Sequence, residues 1–331
     1  MGTVTEPIIE TRDLARTFAS HGRAIEAVKG VDLTVRRGEI FGFLGPNGAG
    51  KTTTINMLCT LLRPTQGHAR VAGHDVVQAP HDVRRSIGLV FQDPSLDERL
   101  TARENMVFHA MLYGVPKRER EERMTLLLEL VSLTERANDL VRGFSGGMKR
   151  RLEIARGLLH HPALLFLDEP TLGLDPQTRN LMWEYILKLQ ADQGVTIFLT
   201  THYMDEAEHC DRIAVMDQGR IIALDTPSAL KAGVGEDRVE IDADDPAAVA
   251  RHLDARYGVA ARTNGTGLSF QVADGAAFLP RLFAEPGLSI QRVEVHRPTL
   301  DDVFLALTGK QIRDAAPDPF AHLKAGSRRG P

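Results

Sequence analysis

The sequence predicts an α/β chain in two parts. The first is a phosphate-loop core carrying an antiparallel β subdomain and a helical subdomain, and the second is a small C-terminal α+β domain of ferredoxin-like order. Three observations predict this. EIFGFLGPNGAGKTT runs from an apolar strand through a glycine-rich turn into a helix. ALLFLD and TIFL are short apolar runs of the kind that form buried strands. Beyond residue 234 the pattern becomes strand, helix, strand, strand, helix, strand.

In order along the chain, PIIETRDL (7–14) and AVKGVDLTVRR (27–37) alternate as exposed antiparallel strands do. EIFGFLG is an apolar strand, and KTTTINMLCTLL is the helix behind the glycine turn. GLVFQ (88–92) is another short strand. Residues 101–160 read as helices: TARENMVFHAMLYG, KREREERMTLLLELVSL and GGMKRRLEIARGLLHH. KREREER is an exposed face laced by i,i+4 pairs, and Lys149, Arg150 and Arg151 read as a solvated basic turn. The strand ALLFLD, the helix QTRNLMWEYILKLQADQ and the strand TIFLTTH follow. IAVMDQGRIIA forms a hairpin that turns at Gln218 and Gly219.

The second part starts with the strand RVEID and the helix DPAAVARHLDARYG, followed by the strands VAART and LSFQV around an NGTG turn. The helix GAAFLPRLFAE and the strand LSIQRVEV complete it. In the last helix, TLDDVFLALTG, the residues Leu300, Val303, Phe304 and Leu307 share one face, expected to close the small domain or to help two subunits dimerise. The expected boundaries are 5–233 for the nucleotide-binding domain and 236–309 for a small regulatory or dimerisation domain. A tail at 314–331 has the composition of a disordered segment.

Composition narrows the function class. The 331 residues are 43% hydrophobic and 25% charged, as in a soluble globular chain. A net charge of -4 gives no bulk attraction to nucleic acid or to an anionic bilayer. Cys59 and Cys210 lack metal-site spacing and suit a reducing compartment. Neither a signal peptide nor an apolar run near the roughly 20 residues of a membrane span is visible. A membrane function would need another chain to supply the spans.

GPNGAGKTT matches the phosphate-loop pattern at Gly45, Pro46, Asn47, Gly48, Ala49, Gly50, Lys51, Thr52 and Thr53. Its backbone N–H groups converge on phosphate oxygens, and Lys51 reaches the β- and γ-phosphates. Thr52 offers its hydroxyl to Mg²⁺. The loop also needs a carboxylate at a strand end. ALLFLDEP supplies Asp168 for the metal and Glu169 as a general base toward the attacking water.

With these residues in hand, the chain resembles the ATP-binding subunit of an ABC transporter. FSGGM (144–148) stands where that family has its signature loop, which usually begins with Leu and ends with Gln; Phe144 and Met148 depart from it. The resemblance implies that Ser145, Gly146 and Gly147 contact ATP held by a partner subunit, two subunits packing head to tail. It further implies that Gln92 senses Mg²⁺ and the attacking water, and that Asp175 lies in the dimer-contact loop. His202 is then the switch histidine on the γ-phosphate, and Phe18 stacks on adenine.

VHRPTLDDVFLALTGK and MKRRLEIARGLLHHP resemble the daunorubicin-resistance type of drug-exporter ATPase, the likeness running over residues 6–310. The expected function is therefore the ATP-hydrolysing subunit of an exporter for a drug-like, lipid or polysaccharide substrate, with ATP and Mg²⁺ as cofactors. Its expected partners are a separate membrane permease, reached through residues 93–101, and a second ATPase subunit in a homodimer, with no nucleic acid. The resemblance implies a place at the cytoplasmic face of the cell membrane. The alternatives are an importer ATPase, against which only the C-terminal motif argues, and a soluble ATPase in DNA repair or translation. The last would carry a coiled-coil insertion or two ATPase domains, and this sequence has neither.

Overall fold

A computed structural model of the chain describes residues 6–20, 23–92, 95–264, 267–285 and 288–309. The expected tail at 314–331, Asp93 and Pro94 lie outside the described residues.

The strands β1 (Ile9–Ser20) and β2 (Arg23–Val35) pair antiparallel, as their alternation predicts. The strand β3 (Ile40–Leu44) leads through the glycine loop into helix α1 (Lys51–Leu58). Next come β4 (Gln66–Val71) and the two-residue β5 (His74–Asp75), which complete a four-stranded sheet of order β2-β1-β4-β5. Helix α2 (Pro80–Ser86) enters β6 (Ile87–Val90). The helical part consists of α3 (Ala102–Leu112), α4 (Lys117–Leu130) and α5 (Gly146–Leu158). Thr101 and Glu104 form a reciprocal capping box that fixes where α3 begins.

The core resumes with β7 (Leu164–Asp168), α6 (Pro176–Gln193), β8 (Thr196–Thr201) and the short α7 (Met204–Ala207). The hairpin of β9 (Arg212–Asp217) and β10 (Arg220–Asp225) follows, then α8 (Pro227–Ala232). The six-stranded sheet has the order β10-β9-β3-β8-β7-β6; it is parallel from β9 to β6, with β10 antiparallel at the edge.

Both faces of this sheet are covered, which explains the uninterrupted apolar runs. Phe41, Phe43, Phe166 and Phe198 pack with Ile9, Leu14 and Val31 beneath the antiparallel sheet. Ile40, Leu44, Leu165, Leu167 and Leu199 point the opposite way, toward Leu152, Ile154, Trp183 and Ile186. Burying each such side chain stabilises by about 1.5–3 kcal/mol. The carboxyl ends of β3, β7 and β8 are thereby held in register at one edge of a rigid layer.

The C-terminal sheet and its helices are β11 (Asp237–Ala243), α9 (Pro246–Tyr257), β12 (Arg262–Asn264), β13 (Gly267–Val272), α10 (Gly275–Phe283) and β14 (Ile290–His296). Its antiparallel order, β12-β13-β11-β14, is the ferredoxin-like one the sequence predicts. The last helix, α11 (Leu300–Thr308), corrects an expectation. It does not close the small sheet. Leu300, Val303 and Phe304 enter the core on the Ile40 and Leu165 face of the six-stranded sheet, where the helix packs on α7 and α8. An amphipathic stripe demands an apolar partner but does not say which one.

Candidate functional site

The glycine loop connects β3 to α1 and cannot be built from ordinary residues. At Gly45 the backbone adopts φ +157, and a Cβ there would stand 2.3 Å from the carbonyl oxygen of Met216. The loop is braced from the hairpin side, where the Gly219 N–H donates to the Ala49 carbonyl at 2.9 Å. Lys51 is only 5% exposed. Its ammonium donates to the carbonyls of Gly45 at 2.6 Å and Pro46 at 3.3 Å, and stands 3.9 Å from the Glu169 carboxylate. Burial holds the Lys51 pKa below the usual lysine value, opposed by Glu169 and Asp168. Thr52 presents an exposed side chain at the same end of α1.

Asp168 and Glu169 sit where β7 ends. Thr200, on the neighbouring β8, donates its hydroxyl to Asp168 Oδ1 at 2.6 Å and accepts the Glu169 N–H at 2.9 Å. One hydroxyl thus orients both acidic residues. Burial raises the Asp168 pKa against that hydrogen bond, with Glu169 also raising it and Lys51 lowering it. Glu169 adopts φ 46, a left-handed conformation rare for a residue with a side chain. Its Oε1 lies 3.3 Å from Nδ1 of His202, and that hydrogen bond lowers its pKa, with burial opposing. Lys51, Asp168, Glu169 and His202 therefore meet in one cluster.

The second glycine loop forms another. Ser145 caps α5, its side chain accepting the Met148 N–H at 3.3 Å. Gly147 approaches α6 so closely that a Cβ would lie 2.3 Å from Thr178 Cγ2. Asp175 caps α6 through Thr178, accepting its N–H at 3.0 Å and its hydroxyl at 2.6 Å. The Ser145 loop and the Asp175 loop thus lie side by side, presenting two helix N-termini, a geometry that favours an anion.

Gln92 is exposed one residue beyond Phe91. Phe18 is half-buried on β1 opposite Ile25, with the Arg16 guanidinium 4.7 Å from its ring centre. Asn47 and Gly48 are exposed at the tip of the first glycine loop, while Pro46, Gly50 and Thr53 are half-buried.

Some residues of the site are not apparent from sequence. Thr200 is fully buried, and its only signal is a polar pair ending an apolar strand. Glu206, equally buried, accepts hydroxyls from Thr171 and Thr201 (the latter at 2.7 Å), joining the His202 loop to the turn after Glu169. The basic turn at Lys149, Arg150 and Arg151 needs correction. Lys149 does ion-pair at the surface with Glu98, but Arg150 is buried, and Arg151 donates to the Val131 carbonyl at 2.8 Å. Charge alone does not mark a face as solvated.

Residues 28–172 match the family model described as ABC transporter, and residues 226–308 match the one described as ATP-binding protein DrrA1-3-like, C-terminal domain. The chain is 42% identical over 330 residues to the daunorubicin/doxorubicin resistance ATP-binding protein DrrA of Streptomyces peucetius, covering 97% of this chain and 98% of that one. It is also 42% identical over 290 residues to the Nod factor export ATP-binding protein I of Burkholderia orbicola, covering 87% and 93%. Among solved structures, a dimeric ATP-binding cassette in a post-hydrolysis state with ADP and Pi is similar at TM-score 0.61 and 28% identity, covering 66% of this chain and 98% of that one. The cbiO1 protein from Clostridium perfringens, part of the ABC transporter complex cbiONQ, is similar at TM-score 0.63 and 27% identity, covering 76% and 96%.

Proposed function

The chain belongs to the ABC transporter ATPases, in the branch of the daunorubicin-resistance ATP-binding proteins, and from that premise we propose how its residues bind and hydrolyse ATP. It is an exporter ATPase subunit, and relatives named for resistance and export favour neither an importer nor a soluble repair or translation ATPase. The observation that carries the reading is the meeting of Lys51, Asp168, Glu169 and His202 at the carboxyl edge of the six-stranded sheet.

Residues 45–53 wrap the triphosphate, with Lys51 on its β- and γ-phosphates and Phe18 against the base. Glu169 accepts a proton from the attacking water, and His202 orients Glu169 and senses the γ-phosphate. Thr52, Asp168 and Gln92 form an all-oxygen donor set that suits Mg²⁺, and the buried, hydroxyl-oriented Asp168 carboxylate fits such an ion. When bound, the ion neutralises charge on the phosphates. Ser145, Gly146, Gly147 and Asp175 face the nucleotide of a partner ATPase subunit, most simply a second copy of this chain.

The proposed division is a nucleotide-binding domain at 5–233 and a small regulatory or dimerisation domain at 236–309, with α11 reaching back across the join. No helix among the described residues is long and apolar enough to cross a membrane. A separate permease supplies the path and recognises the cargo, drawn from drug-like, lipid or polysaccharide molecules. The ATPase lies beneath it at the cytoplasmic face. Affinity purification of the tagged chain from gently solubilised native membranes tests this. A polytopic membrane protein in stoichiometric amount supports the reading; ribosomal or DNA-repair proteins without one would overturn the transport assignment.

A further inference from the structure

Arg150, Glu153 and Arg156 follow one another at three-residue spacing on α5, so they share one face of the helix that Ser145 caps. That face points inward. Arg150 is 6% exposed and Glu153 is 1% exposed. A buried charge is tolerated only where its hydrogen-bonding groups are matched, and apolar side chains would fill such space at lower cost. The contacts therefore need a reason.

Arg150 spends its donors on backbone carbonyls. Nε donates to Pro170 at 2.9 Å, and Nη2 donates to Asp168 at 2.7 Å and Glu169 at 3.2 Å. Nη1 donates to the Phe91 carbonyl and to Glu153 at 3.4 Å. Glu153 in turn accepts the Ser95 N–H at 2.6 Å and the Ser95 hydroxyl at 3.1 Å. Arg156 donates to the Ser95 carbonyl at 2.9 Å and also to its hydroxyl. Phe91 immediately before Gln92 and Ser95 beyond it are thus both fastened to the signature helix. The same guanidinium fastens the backbone on which Glu169 holds its left-handed conformation.

We propose that Arg150, supported by Glu153 and Arg156, is a positioning residue for hydrolysis. It fixes the Glu169 backbone and the chain on either side of Gln92 at one offset from Ser145. A displacement of the chain near Gln92 is then carried to the signature loop and to the general base together. The inference rests on the roles proposed above for Glu169 and Ser145.

Steady-state hydrolysis by the full-length chain tests it, with turnover expressed per folded molecule. Arg150→Met is expected to lower kcat about 10- to 100-fold while KM for ATP stays within about threefold, because misplacement costs turnover more than binding. Arg150→Lys keeps the charge but not the fork, and is expected to recover only part. Glu153→Gln is expected to lower kcat in the same pattern. Hydrogen exchange should quicken in the peptide carrying residues 168–170 of Arg150→Met and not in the small sheet. If Arg150→Met does not fold, Arg150→Lys and Glu153→Gln carry the test with the same readouts. Lys51→Ala separates the two failures. Wild-type turnover in Lys51→Ala would overturn the site reading and this inference with it. A dead Lys51→Ala beside unchanged turnover per folded molecule in the Arg150 and Glu153 variants overturns this inference alone.

Discussion

The Glu169 carboxylate and the His202 imidazole meet at 3.3 Å, through Oε1 and Nδ1. An ionised carboxylate only accepts hydrogen bonds, so the ring proton of this contact belongs on Nδ1. The histidine thereby holds both the orientation and the charge of the proposed base, and couples it to the strand end where His202 follows Thr201.

Glu169→Gln keeps the shape of the side chain and removes its basicity. Hydrolysis is expected to fall about 100-fold or more, the usual scale of general-base catalysis. ATP binding should survive, so the closed dimer should accumulate. Size-exclusion chromatography with and without ATP reads this directly, and wild-type turnover would sink the assigned role.

The His202 contact also sets a pH dependence. The Glu169 pKa lies below its ordinary 4.5, chiefly through the His202 hydrogen bond. Its folded-state pKa being depressed, the contribution to stability is present above 4.5 and is lost as the pH falls through the folded value. The acid limb of kcat in the wild type should therefore fall below the ordinary glutamate range. In His202→Ala burial is left as the main influence, so the residual activity should lose its acid limb at higher pH. A pH profile that is merely scaled down, with no displacement, would refute the coupling.

Ser145→Ala should show two separable effects. Loss of the cap on α5 costs about 1 kcal/mol of stability, visible in thermal melting. Hydrolysis should fall as well, while ATP affinity of the isolated subunit stays unchanged, because the proposed contact is to the nucleotide of a partner subunit. A loss of binary affinity would place Ser145 in its own chain's site instead.

Phe304→Ala removes a fully packed side chain from the core of the nucleotide-binding part. A cost of about 3–5 kcal/mol is expected for such a truncation. Melting of the full chain should drop accordingly, and a chain ending at residue 233 should also be less stable than the same segment within the full chain. If that shorter chain melts unchanged, α11 contributes nothing to the core it touches.

The phosphate loop, the strand ends at Asp168 and His202, and the ferredoxin-like order were legible because each depends on residue types at fixed spacing. Gly45 is dictated by a carbonyl 2.3 Å from its missing Cβ, and only glycine fits. Arg150 was illegible for the opposite reason. Its partners are the carbonyls of residues 91, 168, 169 and 170, and a backbone carbonyl leaves no mark on the sequence. Glu206, which accepts from Thr171 and Thr201, and Thr200, which donates to Asp168, were hidden likewise, since such buried groups look like any polar residues until the segments bearing them converge. β5, two residues long and without an apolar run, lay below what periodicity detects.

The course of α11 bears on how this protein could be re-engineered. The small sheet is moored twice, by the chain leaving α8 and by the helix that comes back to it. A lobe hung from one linker can be exchanged between homologues with a single splice. Here a graft that stops at β14 would leave the host with an open seam, and one that includes α11 must bring Leu300, Val303 and Phe304 into a foreign groove. Chimeras should therefore succeed or fail on the match between that one helix and the surface of α7 and α8, whatever sheet lies between.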